Sequence, residues 1–344
     1  MLKFKLLMSH TTRFISISLL LSLLFGCKHT NSQFPEVKKL TNYKETEFLP
    51  TMENQLSNNR NSIYCVTLLY AWDLVKEKIN SPLIIKKTDT DLLLLNNSKS
   101  QLNALKENEY DVTAKVSDKI INLDAKFSKS LPFNVKFESY TKKMTFNNIR
   151  VTSFGTSGHN YEMTNLVEII YYQDDNNFII KIEPKDNTQE IILYKTTLSF
   201  KTMSEMVNNL SMKLDNRLAA KIANGKNYCF NDSDELVIPK LKFNLEYNYS
   251  SLEGKEFKTT QSGYKVETAS QRNAFILDEN GTKVESEAAV EVTTLSREPK
   301  VIEVKPKIKH MIFDKPFFLL LKKADSRNPY FALHIVTPEL MIKE

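Results

Sequence analysis

Glycine is scarce, at seven of 344 residues. Gly26, Gly155, Gly158, Gly225, Gly254, Gly263 and Gly281 form no cluster of the kind a phosphate loop or dinucleotide fingerprint needs. Cysteine is limited to Cys27, Cys65 and Cys229, with no CxxC pair. The five histidines (His10, His29, His159, His310, His334) are dispersed, so zinc-ligand spacing is absent and no cofactor is implied. No Ser/His/Asp order stands out in a chain rich in serine and aspartate, which leaves no enzyme class supported. The formal charge is +6, but Lys3, Lys5 and Arg13 sit at the extreme N-terminus. Beyond them 44 basic residues face 41 acidic ones, too even a balance to argue for nucleic acid. Apolar content of 41% and charged content of 26% fit an ordinary folded protein, long enough to bury a sizeable core.

Long hydrophobic runs are also lacking, with one exception. Residues 1–13 are basic, and Phe14 to Phe25 is apolar but shorter than the roughly 20 residues of a membrane span. The run ends in Leu24-Phe25-Gly26-Cys27, which looks like the lipobox of bacterial lipoproteins. The expected organisation is a signal peptide over 1–26, lipidated Cys27 with a polar tether to about residue 45, and one domain over 46–344. Anchoring through several acyl chains predicts a cell-envelope location, with the membrane as a partner through lipid alone. Cys65 and Cys229 are left either to pair or to remain buried thiols.

Past the tether, Ile63 to Val75 carries Leu68, Ala71, Trp72 and Val75 at helical spacing, predicting a buried helix entered by a short strand. Residues 76–118 show little pattern beyond Leu92–Leu95. From about 120 the texture turns to short β-branched and aromatic segments: 119–123, 133–137, 149–151, 167–172 and 178–183. Asp174 to Asn177 reads as a hairpin turn. Met203 to Ala223 predicts one helix, with Met206, Leu210, Leu214, Leu218 and Ile222 as its core stripe. Leu241, Phe243, Leu245, Tyr247 and Tyr249 alternate with polar residues, predicting a strand with one buried face. Residues 317–321 and 330–336 read as two closing strands.

The order of these segments is similar to that of the serpins. Val237-Ile-Pro-Lys-Leu-Lys-Phe243 resembles the family's "LPKFKI" strand. Arg272 to Thr282 (RNAFILDENGT) resembles "HKAFIEVNEEGT" with one residue deleted. Phe313 to Lys322 resembles "FNRPFLFLIR", and Phe331 to Pro338 resembles "FMGRVVNP". Leu131-Pro-Phe133 resembles the "W-x-x-PF" turn, and Val167 to Tyr172 the "ELPY" region. The match is good over 235–338, partial over 120–234 and poor before that.

The resemblance implies an α+β fold of large mixed β-sheets with an exposed reactive loop at about 281–312. The short stretch between the Trp72 helix and Ile120 implies a reduced set of N-terminal helices, with none crossing the main sheet. It implies a monomer without an active site, whose partner is a protease of the serine or cysteine class. In such a protein the loop is cut as a substrate and inserts into a sheet, carrying the acyl-linked protease with it. The hinge would be Gly281, Thr282, Val284, Ser286 and Ala288. Counting from Gly281, the scissile bond would follow Leu295, before Ser296, with Arg297 the alternative for a trypsin-like enzyme. The residues themselves fit insertion. Thr282, Val284, Ser286, Ala288, Val290, Val292 and Thr294 form an uncharged face, and the opposite face carries Lys283, Glu285, Glu287 and Glu291. Periodicity alone favours a strand resident in a sheet, and the position between Asp278–Thr282 and Lys315–Phe317 turns the reading to the loop. Lys300, Lys305, Lys307 and Lys309 beyond it would steer acidic surfaces or guard a strand edge. The bulk of Val284, where the family has small residues, leaves a substrate or non-inhibitory binding module as the alternative, along with an unrelated β-rich surface lipoprotein.

Overall fold

The computed structural model describes Phe34 to Glu344, apart from residues 99–104, 106–108, 128, 158–165, 225–227, 232 and 284–307. The expected leader and Cys27 lie outside the described residues. The expected tether is shorter than 27–45. Phe34 and Leu40 are buried, and Lys38–Lys39 already pairs as a strand, because both apolar side chains find the core.

The described chain forms three sheets and four α-helices. The first sheet contains β1 (Lys38–Lys39), β4 (Ile84–Ile85), β5 (Tyr110–Ser117), β6 (Ile120–Phe127), β7 (Leu131–Pro132), β14 (Leu241–Asn248), β15 (Glu256–Lys258), β16 (Gly263–Asp278) and β17 (Gly281–Lys283). The second runs in the order β10 (Val167–Asp174), β11 (Asn177–Ile182), β12 (Gln189–Lys195), β19 (Phe317–Lys323), β20 (Phe331–Ile335), β3 (Asn61–Cys65) and β2 (Thr46–Leu49). The third joins β18 (His310–Ile312), β13 (Glu235–Pro239), β9 (Ile149–Ser157) and β8 (Glu138–Phe146). The helices are α1 (Thr67–Ile79), α2 (Thr90–Asn97), α3 (Met203–Asp215) and α4 (Arg217–Asn224). This is the α+β class with large mixed sheets and few helices that the sequence implies.

The core lies where inward aromatic rings of the first two sheets meet. Phe127 and Phe275 each stack on Phe331, at 5.5 and 5.0 Å between centroids. Trp72 is fully buried against Phe257, as its place in the apolar helix predicted. The Asp174–Asn177 hairpin forms as expected. Leu241, Phe243, Leu245 and Tyr249 are buried, and Tyr247 is half-buried, so the alternation held.

Four expectations are corrected. The single helix over 203–223 breaks at Asn216, and the later stripe residues Leu218 and Ile222 are 68% and 77% exposed. Residues 133–137 form no strand, because the amides of Phe133 and Phe137 are spent on the carbonyls of Asn280 and Glu279. The stretch before 118, read as patternless, contains β5, in which Tyr110, Val112, Ala114 and Val116 alternate strictly with exposed Asp111, Thr113, Lys115 and Ser117. The two ends of the expected loop, 281–283 and 310–312, lie in sheets as β17 and β18, and 284–307 lie outside the described residues. Cys65 is buried and Cys229 exposed, and the two are unpaired.

Among the described residues no helix connects β5 to β6 across the first sheet, and the cause is local. Asp118 and Lys119 adopt φ of +49° and +68°, a tight two-residue hairpin turn that sends β5 directly into β6.

Candidate functional site

The 16-residue β16 organises the first sheet. On one side β14 runs antiparallel, from Leu241 opposite Leu277 to Asn248 opposite Ser270. On the other side β6 runs parallel, from Ile120 opposite Lys265 to Phe127 opposite Asn273. Past the end of β6, the same side of β16 is taken by β17, antiparallel, with Thr282 opposite Leu277 and Lys283 opposite Ile276. The far edge of β17 pairs with β7, Gly281 opposite Pro132 and Thr282 opposite Leu131. Strand β17 therefore sits between β16 and β7, directly above the parallel β6–β16 seam.

Short-range chemistry fixes this turn. Asp278 accepts bonds from the Asn280 amide nitrogen (2.8 Å) and side chain (3.0 Å), closing the turn. Gly281 has φ of +125°, and a Cβ there would lie 2.5 Å from the Leu131 carbonyl oxygen, so only glycine fits. Thr282 is fully buried on the core face beside Leu277. The turn is pinned from outside by Phe133 and Phe137, whose amides reach the Asn280 and Glu279 carbonyls at 2.9 Å each. Glu279 pairs with Lys240 at 2.7 Å and accepts from Ser139 at 2.9 Å. Burial pushes its carboxyl up, but bonds from Lys240, its own backbone and Ser139 outweigh that and hold it below the usual glutamate value.

Below the hinge the seam has two different faces. Inward, Tyr249 donates to Gln271 (2.6 Å), and Gln271 donates to the Thr67 hydroxyl (2.8 Å) and the Cys65 carbonyl (3.2 Å). The Cys65 thiol itself lies against the Thr67 hydroxyl at 3.4 Å, and burial pushes it up to about 11, which keeps it unreactive. Asn273, two residues higher and fully buried, has no partner for either amide atom among the described residues. Outward, Thr268 donates to Asn122 (2.7 Å) and Ser270 to Asp124 (2.8 Å), each across the seam.

Of the sequence-predicted site, Gly281 and Thr282 are brought together in β17. Val284, Ser286, Ala288, Leu295, Ser296 and Arg297 lie outside the described residues, as do Lys300, Lys305 and Lys307. Lys309 guards no edge. It is 2% exposed and pairs with Asp234 at 2.8 Å, fastening the return of the chain to the third sheet. Lys240, Ser139, Asn273 and the seam pairs were not anticipated. Lys240 lay in view within the Pro-Lys-Leu motif, while its partner Glu279 lies 39 positions further along the chain, so sequence spacing gave no cue. Among the described residues no group of three or more His, Cys, Asp or Glu side chains is placed to hold a metal ion.

No protein-family model matches this chain, and no curated protein does. Solved structures similar to it are serpins, the family whose motifs the sequence resembles. A Manduca sexta serpin aligns with 13% identity and a TM-score of 0.41, covering 65% of this chain and 57% of its own. A Schistosoma mansoni serpin gives 14%, 0.39, 64% and 57%. Human thyroxine-binding globulin in complex with thyroxine gives 13%, 0.38, 77% and 64%. The chain thus spans under two thirds of each. At TM-scores near 0.4 the likeness carries no functional argument, which rests instead on the geometry above.

Proposed function

We propose that this protein is a cell-envelope-anchored, serpin-type protease inhibitor, tethered by lipid on Cys27 and acting by cleavage-triggered loop insertion. The observation that carries the reading is the position of β17 at the top of the parallel seam, between β16 and β7. Antiparallel pairing already begun at Gly281–Lys283 is poised to continue down β16. The same register carried forward sets Val284 opposite Phe275, Ser286 opposite Asn273 and Ala288 opposite Gln271. All three β16 residues face the core. The uncharged face of the loop would therefore turn inward and the glutamates outward, as burial demands.

In this reading the protein is a substrate that does not let go. The protease nucleophile attacks the carbonyl of Leu295 or Arg297, the peptide C–N bond breaks, and the new amine leaves with the C-terminal segment. The ester or thioester left on the protease is then carried away as the freed strand enters the seam, before water can hydrolyse it. Insertion replaces one parallel ladder with two antiparallel ones, which gives the motion its driving force. The C-terminal part stays attached through β18 to β20 and the buried Lys309–Asp234 pair.

The test is incubation with a panel of serine and cysteine proteases, followed by a denaturing gel and a melting curve. A complex that survives boiling, with cleavage after Leu295 or Arg297 and a large gain in heat resistance, is expected. Clean cleavage without either would overturn the reading. That result would favour a non-inhibitory binding module. A specific observation supports this second reading: a cavity of about 480 Å³ lined by Leu198, Phe200, Phe318 and His334, beside which the Lys195 ammonium is already paired with Asp314 at 2.7 Å. A thermal-shift screen of small apolar ligands, with His334→Ala as control, tests it.

A further inference from the structure

The two-residue turn at Asp118–Lys119 leaves β5 as the last strand of the first sheet on its side. Among the described residues nothing pairs with its other edge. The strand is eight residues long and pairs with β6 from Tyr110 opposite Phe127 to Ser117 opposite Ile120 without a bulge. It contains no proline either, so it lacks two of the guards that usually blunt an exposed edge. Its inner face is also incompletely covered. Ile121, Leu123, Ala125 and Phe127 of β6 are buried. Tyr110, Val112 and Val116 of β5 are only half-buried, although the Tyr110 ring packs on Tyr70 of α1 at 4.9 Å between centroids.

The turn decides which backbone groups are open. Ser117 and Ile120 flank it and exchange both hydrogen bonds, as the residues closing a two-residue hairpin do. Counting back in twos, Asp111, Thr113 and Lys115 direct their amides and carbonyls to β6. Tyr110, Val112, Ala114 and Val116 direct theirs away from the sheet. On the exposed face, Asp111 and Lys115 stand symmetrically about Thr113. We infer that β5 is the contact through which two copies of this chain form a twofold dimer, the two strands pairing antiparallel about Thr113. Such a contact is isologous, so each interaction in it is made twice. With the two Thr113 residues opposite each other, Asp111 meets the partner's Lys115 and Lys115 meets the partner's Asp111. Tyr110 lies opposite the partner's Val116, and Val112 opposite the partner's Ala114. Every outward amide and carbonyl is then used, and the half-covered inner side chains gain neighbours. Opposite charges and threonines facing across a strand pair stabilise it, while like charges destabilise it. Moving the axis two residues either way sets Asp111 against Asp111 or Lys115 against Lys115. Moving it one residue leaves Val116 or Tyr110 without a counterpart in β5. The dimer departs from the monomer that the sequence resemblance implies, and it stands whether or not the loop inserts.

Sedimentation velocity of the intact protein across micromolar concentrations should show a monomer–dimer equilibrium. Val112→Pro removes an outward amide and no bond to β6, the kind of position at which an edge strand accepts proline, and should leave the protein monomeric. Asp111→Lys alone and Lys115→Asp alone each set like charges opposite one another in both halves of the contact and should weaken the dimer about tenfold. Lys126, 3.6 Å from Asp111, keeps Asp124 at 3.1 Å, so the β5–β6 hairpin holds in Asp111→Lys. Mixing Asp111→Lys with Lys115→Asp restores both opposite-charge pairs, and the mixture should dimerise as tightly as wild type. Far-UV circular dichroism verifies that each variant is folded, and the charge variants carry the test should Val112→Pro fail to fold. A wild type that stays monomeric, whether or not it binds extended peptides along β5, overturns the inference. A dimer that folded Val112→Pro leaves intact overturns it as well, since the contact then lies elsewhere. If the single charge variants dimerise like wild type, or mixing them restores nothing, the pairing about Thr113 is overturned.

Discussion

Asn273 offers a test that reaches from one buried amide to the whole mechanism. Its side chain is fully buried at the last rung of the β6–β16 ladder, and neither its oxygen nor its nitrogen has a partner among the described residues. A buried polar group without a partner costs about 1–3 kcal/mol, and an apolar side chain of similar shape removes that cost. Asn273→Leu is therefore expected to stabilise the intact protein by about 3 kcal/mol, taking the two groups together at the low to middle of that range. The unit from Phe34 to Glu344 has 311 residues. At about 2.1 cal/mol/K of unfolding entropy per residue, this corresponds to a rise in Tm of about 5 °C. On the insertion reading, the register of β17 on β16 carried forward would set the Ser286 hydroxyl opposite Asn273 in the cleaved protein, satisfying the amide so that the substitution gains nothing there. Calorimetry on intact and cleaved protein should thus show Asn273→Leu raising the first melting point and narrowing the gap to the second. Ser286→Ala should do the reverse, leaving the intact form unchanged and lowering the cleaved one. A fall in the intact Tm of Asn273→Leu, or an equal shift in both forms, would refute the reasoning.

Three further outcomes follow from the hinge and the second sheet. Gly281→Ala forces a Cβ against the Leu131 carbonyl at a φ that only glycine adopts, so β17 should be expelled. Limited proteolysis should show faster cutting near 280, and Tm should fall by several degrees. Glu279→Lys turns the 2.7 Å pair with Lys240 into a repulsion and should loosen the same turn, read by amide hydrogen exchange at Phe133 and Phe137. Because the folded carboxyl of Glu279 is depressed, its contribution is present above the unfolded pKa near 4.5 and is lost as pH falls through the lower folded value; Glu279→Gln should flatten that acid limb. His334, stacked on Phe318 at 4.2 Å, has its pKa lowered by burial to about 4. Its neutral form is the folded form, so stability should be full above about pH 6.5 and decline by about 3 kcal/mol toward pH 4. His334→Phe should remove that slope in a melting series across pH 4–7.

Local pattern made several elements legible in the sequence. The alternation in 241–249, the apolar spacing around Trp72, the Asp174–Asn177 turn and the closing strands each carry their burial signature in contiguous residues. The uncharged even-numbered face after Gly281 is written in the same kind of alternation, and beyond Lys283 it lies outside the described residues. Residues 133–137 misled for the opposite reason. Their β-rich composition is real, but their amides are claimed by carbonyls some 140 residues away. Leu218 and Ile222 continue the α3 stripe on paper, and the break at Asn216 turns them to solvent.

Strand-forming segments and the turn at Gly281 were determined by the chain itself, since each depends on neighbours within a few positions. Which strands meet at the seam, that Asn273 stands without a partner beside it, and that Lys240 finds Glu279 were decided only on folding. Those facts depend on register between segments far apart in sequence, and register is set by the fit of whole buried faces rather than by any one of them.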